Sequence, residues 1–247
     1  MTIAGIILTR NESANIAASI ESLRWTDSIL VFDSFSTDDT VKIAQALGAC
    51  VIQHQFENYT KQRNAALAAV SDEWVFFVDA DERSGAEQGQ EIRTVTADPA
   101  YAGFWVPRHN YIFGKLTRHT GWYPDYQLRV LRRADAHYDT SRDVHELVVL
   151  TGQAGYLKTP LVHYNYRDLA QFISKQERYT NYAAHDLFRQ GVRVKPQNYV
   201  LQPLRHFRWR FFELQGYRDG LHGLELSLLM AWYEFQKYMR LRREWRR

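Results

Sequence analysis

A run of apolar residues that ends in two closely spaced carboxylates constrains this chain more than any other feature. Residues 74–78 are Trp, Val, Phe, Phe and Val, and Asp79 and Asp81 follow with one alanine between them. Such a run suits a strand that is buried on both faces of a parallel sheet. The carboxylates then lie at the strand's carboxyl end, where open α/β sheets bind their ligands. Two anionic oxygens there can hold a divalent cation, although similar turns also serve only to cap a helix.

The first hundred residues alternate predicted strands and helices. With helices between them, strands are expected at residues 3–8, 28–32, 49–52 and 74–78. Repeated β-α units of this length predict a parallel sheet with right-handed crossovers. Beyond residue 99 the pattern becomes mixed, with shorter strands near 103–107 and 126–131, and from residue 169 onward it is mostly helical.

Three residues carry local predictions about helix ends and burial. Asn11 and Ser36 follow the first two predicted strands and are expected to cap the helices after them. Cys50 is the one cysteine of the chain, lies in a predicted strand and is expected to be buried. A single cysteine excludes an internal disulfide and a cysteine-based zinc site.

Length and composition fit one large α/β domain, alone or with an appendage, because 247 residues with 45% hydrophobic residues suffice for a sizeable core. The N-terminus shows neither a basic region nor a cleavage site, so no signal peptide is predicted. No apolar run reaches the roughly 18 residues that a spanning helix needs. Basic charge is concentrated at the end, since residues 195–247 hold eleven Lys/Arg and five Asp/Glu, a balance of +6.

Polar residues gather where the predicted strands end and on the helix before the fourth strand. They are Thr9, Asn11 and Glu12; Asp33 and Ser36; Lys61, Arg63 and Asn64; and Asp79 with Asp81. In this order and spacing they resemble the inverting family 2 glycosyltransferases, which carry a Thr-x-Asn-Glu-like first loop, an Asp-x-x-Ser-x-Asp second loop and an Asp-x-Asp. The resemblance covers at least residues 3–165. It implies the GT-A fold, an α/β, Rossmann-like, mostly parallel sheet flanked by helices, with a mixed acceptor-side region.

Downstream segments resemble the lipopolysaccharide-core, beta-1,4-glucosyltransferase-like branch of that family. These segments are 121–129, 144–146, 161–164 and 175–179. The resemblance implies a GT-A catalytic domain at 1–168, divided into a nucleotide-sugar-binding half at 1–98 and an acceptor half at 99–168. A helical, basic and amphipathic extension is expected at 169–247.

The resemblance also implies a nucleotide-diphosphate sugar donor, most of all a UDP-sugar. Asp33 matches the family carboxylate that binds the uracil-type base, and Glu12 is expected to help bind the nucleoside. Lys61 and Arg63 can meet diphosphate oxygens, although both also suit a solvated helix face. The remaining expected donor contacts are Thr9, Asn11, Ser36, Asn64 and Asp79.

A divalent cation, Mn²⁺ or Mg²⁺, is the implied cofactor. Asp81 is the leading metal ligand, and Asp79 is expected to bind ribose directly or through the metal. His163 matches the late histidine that completes the metal shell in many GT-A enzymes, whereas a lone histidine among aromatic residues is more often structural. A nitrogen ligand beside carboxylates favours Mn²⁺ over Mg²⁺ somewhat.

Inverting transfer needs a general base for the acceptor hydroxyl, and two carboxylates are candidates. Glu146 is favoured because its place in the chain order matches the family base, although relatives carry an acidic pair where this chain has His145 and Glu146. The alternative is Asp125, which could instead orient the acceptor or pair with Arg129. Trp122 and Tyr123 are expected to be exposed and to stack on acceptor sugar rings.

The implied acceptor is a lipid-linked or lipopolysaccharide-core glycan, which places the enzyme in the cytoplasm at the inner face of the bacterial cytoplasmic membrane. Basic helices with Trp and Phe can lie in a membrane interface, so a peripheral membrane contact of the tail is expected. Alternatively, the apolar stripe of the tail packs on the catalytic domain or on a second subunit in a homo-oligomer.

Two other functions compete with glycosyl transfer. A nucleotidyltransferase shares the nucleotide-binding sheet and the paired carboxylates, but it normally has a glycine-rich phosphate loop, which Thr9–Glu12 lacks. A nucleic-acid-binding module would use the basic, aromatic tail, but it leaves Asp33, Asp79 and Asp81 without a role. No nucleic-acid partner is therefore expected.

Overall fold

A computed structural model describes residues 1–140 and 148–246 of the chain. The strands within these residues are β1 Ile3–Thr9, β2 Ser28–Asp33, β3 Cys50–Gln53, β4 Trp74–Asp79, β5 Glu82–Arg83, β6 Tyr101–Ile112, β7 Lys115–Thr117, β8 Tyr126–Arg132, β9 Ala136–Tyr138, β10 Val148–Leu150, β11 Gln153–Tyr156 and β12 Leu161–Tyr166. The α-helices are α1 Ile16–Ser22, α2 Thr40–Ala46, α3 Tyr59–Ala68, α4 Ala86–Val95, α5 Leu169–Arg189, α6 Asn198–Arg208 and α7 Gly220–Glu244. A π-helical turn, Trp209–Glu213, follows α6 directly.

The main sheet has the strand order β3-β2-β1-β4-β8-β6-β12-β5. The first four strands of this order are parallel to one another, and β8 is antiparallel to both β4 and β6. The predicted parallel sheet with a mixed region after residue 99 is therefore confirmed.

Burial of β4 on both faces explains why its sequence is uniformly apolar. Trp74, Phe76 and Val78 belong to one hydrophobic core cluster. Val75 and Phe77 point to the other side and belong to a second cluster. Since side chains alternate along a strand, the sheet separates two cores and β4 contributes to each.

The chain divides into two compact units. The first comprises the described residues of 1–108 and 125–163, and the second those of 109–124 and 164–246. The first unit contains the parallel strands and α1–α4, whereas the second contains α5–α7 around its own core of Ile112, Tyr166, Phe172, Leu226 and Tyr233. The domain boundaries at residues 98 and 168 stay a prediction.

Within the second unit, the backbones of Gly216 and Gly223 approach each other very closely. A Cβ atom built on Gly223 would lie 1.9 Å from the carbonyl oxygen of Gly216, so only glycine fits there. None of the helices in the described part of the chain is long and apolar enough to cross a membrane.

Three local predictions were wrong. Asn11 and Ser36 do not cap helices, because α1 begins only at Ile16 and α2 only at Thr40. Both side chains bond instead across the space between the first two loops. Cys50 is exposed rather than buried, and it lies in β3, the edge strand, which pairs only with β2 among the described strands.

Candidate active site

The carboxyl ends of three parallel strands bring the predicted donor residues to one edge of the sheet. The β1–β2 register sets Thr9 beside Asp33. The β1–β4 register sets Leu8 beside Asp79. Because adjacent strands lie roughly 5 Å apart, polar groups that are far apart in sequence meet here. The structure therefore supplies the juxtaposition that the sequence pattern predicts.

The loops after β1 and β2 are joined by side chain–backbone hydrogen bonds. The Asn11 N–H donates to Ser36 Oγ at 2.8 Å, and Asn11 Oδ1 accepts from the Thr37 N–H at 2.8 Å. The Glu12 N–H donates to Thr40 Oγ1, also at 2.8 Å. Asn11 has a left-handed backbone with φ 56°, which aims its amide at the second loop. Asn11, Glu12 and Ser36 thus hold two loops together as one polar rim.

Asp38 strengthens this rim, although the sequence offered it only as a position in the second-loop motif. Its carboxylate accepts from the Thr40 hydroxyl and from the Ser13 N–H. The Thr40 hydroxyl, together with the Ser13 and Thr40 N–H groups, outweighs desolvation and lowers the pKa of Asp38 to about 2.

Asp33 is fully buried at the base of the same rim. Its Oδ2 accepts from the Ser36 N–H at 2.8 Å and from Gln53 Nε2 at 3.0 Å. Its Oδ1 accepts from the Ser36 hydroxyl. In this arrangement Asp33 organises the second loop, and a ligand reaches the carboxylate only if the Ser36 side chain gives up its bond.

Asp79 is held by arginines. Arg129 donates to both of its oxygens, with Nη1 at 3.3 Å from Oδ1, and Arg63 Nη2 lies 3.6 Å from Oδ1. Burial raises the pKa of Asp79, but Arg129 and then Arg63 outweigh it, so the pKa lies well below its ordinary range. Both oxygens of Asp79 therefore accept from Arg129, and its role in binding ribose or the metal stays a prediction.

Glu82 connects this ion pair to a second one. Its carboxylate has no exposed surface. Oε2 accepts from the Asp79 N–H at 2.8 Å, while Oε1 lies 3.1 Å from Arg108 Nη1 and 3.4 Å from Arg129 Nη2. One buried carboxylate therefore aligns two guanidinium groups.

Arg108 also forms an ion pair with Asp125, the alternative candidate base. Its Nε and Nη2 both donate to Asp125 Oδ2, at 2.9 and 2.6 Å, and Gln127 Nε2 donates to Oδ1 at 3.0 Å. The expectation that Asp125 could pair with Arg129 was wrong, because Arg129 is taken by Asp79 and Glu82. The other candidate base, Glu146, lies outside the described residues.

The three predicted donor residues of α3 have different surroundings. Lys61 is exposed and forms an ion pair with Glu57, which precedes the helix. Arg63 is buried, with its guanidinium 5.1 Å from the ring centroid of Phe77. Asn64 uses its whole amide on the backbone of Tyr138, accepting at 2.8 Å and donating at 2.9 Å. Asn64 therefore holds α3 to β9, and we do not propose it as a donor ligand.

Asp81 and His163 form the pair that best suits a metal. His163 Nε2 lies 3.6 Å from Asp81 Oδ2, because β12 pairs with β5 directly after the Asp-x-Asp turn. Among residues 1–140 and 148–246 no group of three or more His, Cys, Asp or Glu side chains could hold a cation. Two protein ligands match cations that keep waters and complete their shell with substrate phosphates.

The predicted acceptor aromatics, Trp122 and Tyr123, lie in the second unit and are half-buried rather than exposed as expected. The Trp122 ring packs edge-on against Tyr166, with centroids 5.8 Å apart. Arg210 lies over Trp122 at 5.9 Å, and Tyr123 contacts the His109 ring at 5.1 Å. The indole N–H of Trp122 is buried without a hydrogen-bond partner among the described residues.

Sequence reasoning missed Glu82 and Arg108. The one available signal for Glu82 was its position as a third acid directly after the Asp-x-Asp. Nothing in the sequence singles out Arg108, which is one of 31 Lys/Arg residues. Complete burial of Glu82 appears only once the strands are assembled.

Comparison with known proteins agrees with this geometry. The family model "Glycosyl transferase family 2" matches residues 6–161. The lipopolysaccharide core biosynthesis glycosyltransferase LpsC of Rhizobium meliloti is 28% identical over 95% of this chain and 90% of its own length. An uncharacterized glycosyltransferase of Rickettsia conorii is 29% identical over 97% of this chain and 89% of its own.

A solved structure shares the fold. Residues 1–349 of TarS from S. aureus superpose with a TM-score of 0.51 at 15% identity, over 97% of this chain and 92% of that one. The likeness agrees with the GT-A sheet expected from the sequence. Since the family model spans most of the described sheet, from β1 into β12, the chain belongs to glycosyl transferase family 2 and is a glycosyltransferase.

Proposed function

We propose that this glycosyltransferase is an inverting, metal-dependent enzyme that moves a sugar from a nucleotide-diphosphate sugar to a hydroxyl of a lipopolysaccharide-core or other envelope glycan. The observation that carries the proposal is the Asp81–His163 pair, 3.6 Å apart beside the ends of the parallel strands. The acceptor class is supported by the name of the Rhizobium meliloti relative, which aligns with 95% of the chain.

The donor site is the rim formed by the first two loops. Thr9 Oγ1 is buried there without a partner among the described residues, so a ligand hydroxyl or amide would satisfy it. Phe35, in the middle of the second loop, is exposed with a left-handed backbone of φ 55°. Its ring offers a stacking surface for a nucleobase, and a UDP-sugar would use Asp33 once Ser36 turns away. Glu12, at the same rim, suits the nucleoside.

Asp81 and His163 would hold the metal, next to the donor diphosphate. When bound, the cation neutralises charge on the leaving diphosphate. Asp79 is left out of this set because Arg129 and Arg63 already balance its negative charge. The carboxylate–imidazole donor pair is compatible with Mn²⁺ and Mg²⁺.

We assign Glu146 as the general base, which would take the proton from the acceptor hydroxyl. A carboxylate whose oxygen receives two guanidinium hydrogen bonds is already neutralised, which makes Asp125 a poor proton acceptor and a good orienting group. In this role Asp125 would accept a hydrogen bond from an acceptor hydroxyl through Oδ1, and Arg108 would fix its direction.

The proposal is tested by assaying a panel of nucleotide sugars for transfer and for slow donor hydrolysis, with and without Mn²⁺. Asp81→Asn should lower turnover by on the order of 10³-fold, because one metal ligand becomes a neutral amide. Asp98→Asn is the matched control, since Asp98 is an exposed acid of the same unit. Near-normal turnover of Asp81→Asn, or equal rates with Mn²⁺ and with a chelator, would remove the metal from the proposal.

A further inference from the structure

The second unit contains a cavity of about 260 Å³, which is lined by none of the described candidate donor, metal or acceptor residues. Side chains of α6, of the π-helical turn after it and of α7 form its wall. We name it the α6 cavity, and its lining includes Gln202, Arg205, Arg208, Trp209, Glu213 and Glu234. Its volume lies just below the roughly 300–1,000 Å³ of pockets for drug-sized ligands, so it suits a ligand of one small ring.

One side of α6 supplies hydrogen-bonding groups and an aromatic ring to this cavity. Gln202 and Arg205 lie three residues apart and Trp209 follows one turn later, so the three side chains share a face of the helix. Among residues 1–140 and 148–246, neither the Gln202 nor the Arg205 side chain forms a hydrogen bond or an ion pair. Both can therefore bond to a ligand without breaking a bond within the protein.

The charges of the lining side chains cancel. Two arginines are balanced by two glutamates, namely Arg205 and Arg208 with Glu213 and Glu234. Arg208 Nη2 lies 2.8 Å from Glu213 Oε1, and Glu234 is paired with Lys237 at 2.7 Å. A phosphate would be repelled by both carboxylates, and a metal ion would have to compete with the cations already paired with them. The lining therefore favours a neutral ligand.

His206 also lines the cavity and adds no charge to it. Its Nε2 accepts a hydrogen bond from Arg210 Nε at 2.8 Å, which requires an unprotonated nitrogen. The His206 ring packs against Trp209 with centroids 5.5 Å apart, and the Arg210 guanidinium lies 5.4 Å from the Trp209 ring centroid. These contacts hold the indole in place, while 41% of Trp209 stays exposed.

We propose that the α6 cavity binds one neutral pyranose ring of a glycan. A sugar ring carries hydroxyl groups, each of which donates and accepts hydrogen bonds, and an apolar face of C–H groups. The hydroxyls would accept from Gln202 and Arg205 and donate to the Glu213 carboxylate, and the C–H face would pack on the exposed indole of Trp209. A fully apolar ligand would instead leave these polar groups without partners.

This binding goes beyond the proposed function. The Asp81–His163 pair and the donor rim belong to the first unit, whereas every residue of the α6 cavity belongs to the second. Binding at the α6 cavity is therefore independent of the metal and of the transfer reaction.

Saturation-transfer NMR of the full-length protein with methyl glucoside, methyl galactoside and methyl mannoside, without nucleotide or metal, tests the proposal. At least one glycoside should bind the wild type, and inorganic phosphate should not displace it. Trp209→Ala should raise the Kd on the order of ten-fold, because the sugar loses its packing surface. Gln202→Leu should raise the Kd about five-fold, because a hydrogen-bonding side chain becomes apolar at nearly the same size.

Trp232→Ala is the matched control, since Trp232 is a 53% exposed tryptophan of α7 outside the lining of the α6 cavity. It should bind the glycoside like the wild type. Asp81→Asn should also keep glycoside binding while it loses transfer, which separates a failure of this proposal from a failure of the proposed function. Thermal melting verifies that each variant is folded, and Gln202→Leu decides the matter if Trp209→Ala does not fold.

Three results would overturn the proposal. The first is that the folded wild type binds none of the glycosides, or that inorganic phosphate displaces the one it binds. The second is that Trp209→Ala and Gln202→Leu, both folded, bind like the wild type. The third is that Trp232→Ala or Asp81→Asn loses binding to the same extent as the cavity variants.

Discussion

Replacement of Glu82 by Gln removes the negative charge that aligns Arg108 and Arg129. The Glu82 carboxylate is completely buried, and its two oxygens serve the Asp79 N–H and both guanidinium groups. Gln has the same size, and its carbonyl oxygen can still accept one of these bonds. All the groups around the carboxylate are N–H donors, namely the Asp79 N–H and the two guanidinium groups. The NH₂ group of Gln would therefore face a donor in either orientation of the amide.

The expected loss of stability follows from the charge balance of the cluster. Arg63, Arg108 and Arg129 face the carboxylates of Asp79, Glu82 and Asp125. Removing one partner of a buried ion pair typically costs about 3–5 kcal/mol, and we expect about 3 kcal/mol here because Gln keeps one hydrogen bond. For a chain of this size, that corresponds to a fall in Tm of roughly 6–12 °C.

Activity should fall as well, because Arg129 loses its contact with Glu82 and then holds Asp79 less firmly. A displacement of about 1 Å next to Asp81 can cost on the order of 10²-fold in kcat/KM. Thermal unfolding and steady-state kinetics well below the melting midpoint measure the two effects. Glu82→Asp keeps the charge and should recover part of both losses.

Glu87→Gln is the matched control, since Glu87 is an exposed acid in the first turn of α4. Its Tm should change by at most 1–2 °C, as is usual for a surface substitution of about 0.5 kcal/mol or less. If Glu82→Gln melts within that range and keeps wild-type kinetics, the reasoning about the buried cluster is wrong.

At saturating donor, Glu146→Gln should lower turnover by about 10²–10⁴-fold with donor binding spared, and Asp125→Asn should cost much less; a severe loss in the Asp125 variant alone would reverse the assignment of the base. Burial, and secondarily Arg210, lowers the pKa of His206 from 6.5 to about 4. Between pH 4 and 6.5 the unfolded chain therefore binds more protons than the folded chain, so the free energy of unfolding decreases as the pH falls from 6.5 toward 4. His206→Gln should reduce this pH dependence, measured by urea titration at several pH values. A methyl group at Gly223 would lie 1.9 Å from a backbone carbonyl oxygen, so Gly223→Ala should cost about 3 kcal/mol or more in thermal unfolding; an unchanged Tm would contradict the packing of the second unit.

The local sequence pattern was enough to predict the sheet and the strand ends at which the site residues lie. The uniformly apolar run of β4 requires burial on both faces, and the structure buries Trp74 and Phe77 on opposite sides. The position of Asp33 and Asp79 at strand ends follows from where the apolar runs stop. The order and spacing of these motifs along the chain also indicated the family. Both can be read from the sequence alone, because each loop follows its strand directly in a β-α sheet.

Tertiary structure alone decided which arginine of the site pairs with which carboxylate. Any arginine can pair with any carboxylate, and the sequence contains many of both. Arg129 meets Asp79 because β8 lies antiparallel to β4, fifty positions away in sequence. The pairing of β6 with β8 places Arg108, rather than Arg129, beside Asp125.

Capping and burial predictions failed for a related reason. Asn11 fits a helix cap by its type and position, yet its amide bonds to a loop 26 positions away. Cys50 lies in a strand pattern, yet the edge position of β3 leaves it exposed. Periodicity within a segment determines which element forms, but the strand order determines which neighbours surround each side chain, and hydrogen bonds and burial depend on those neighbours.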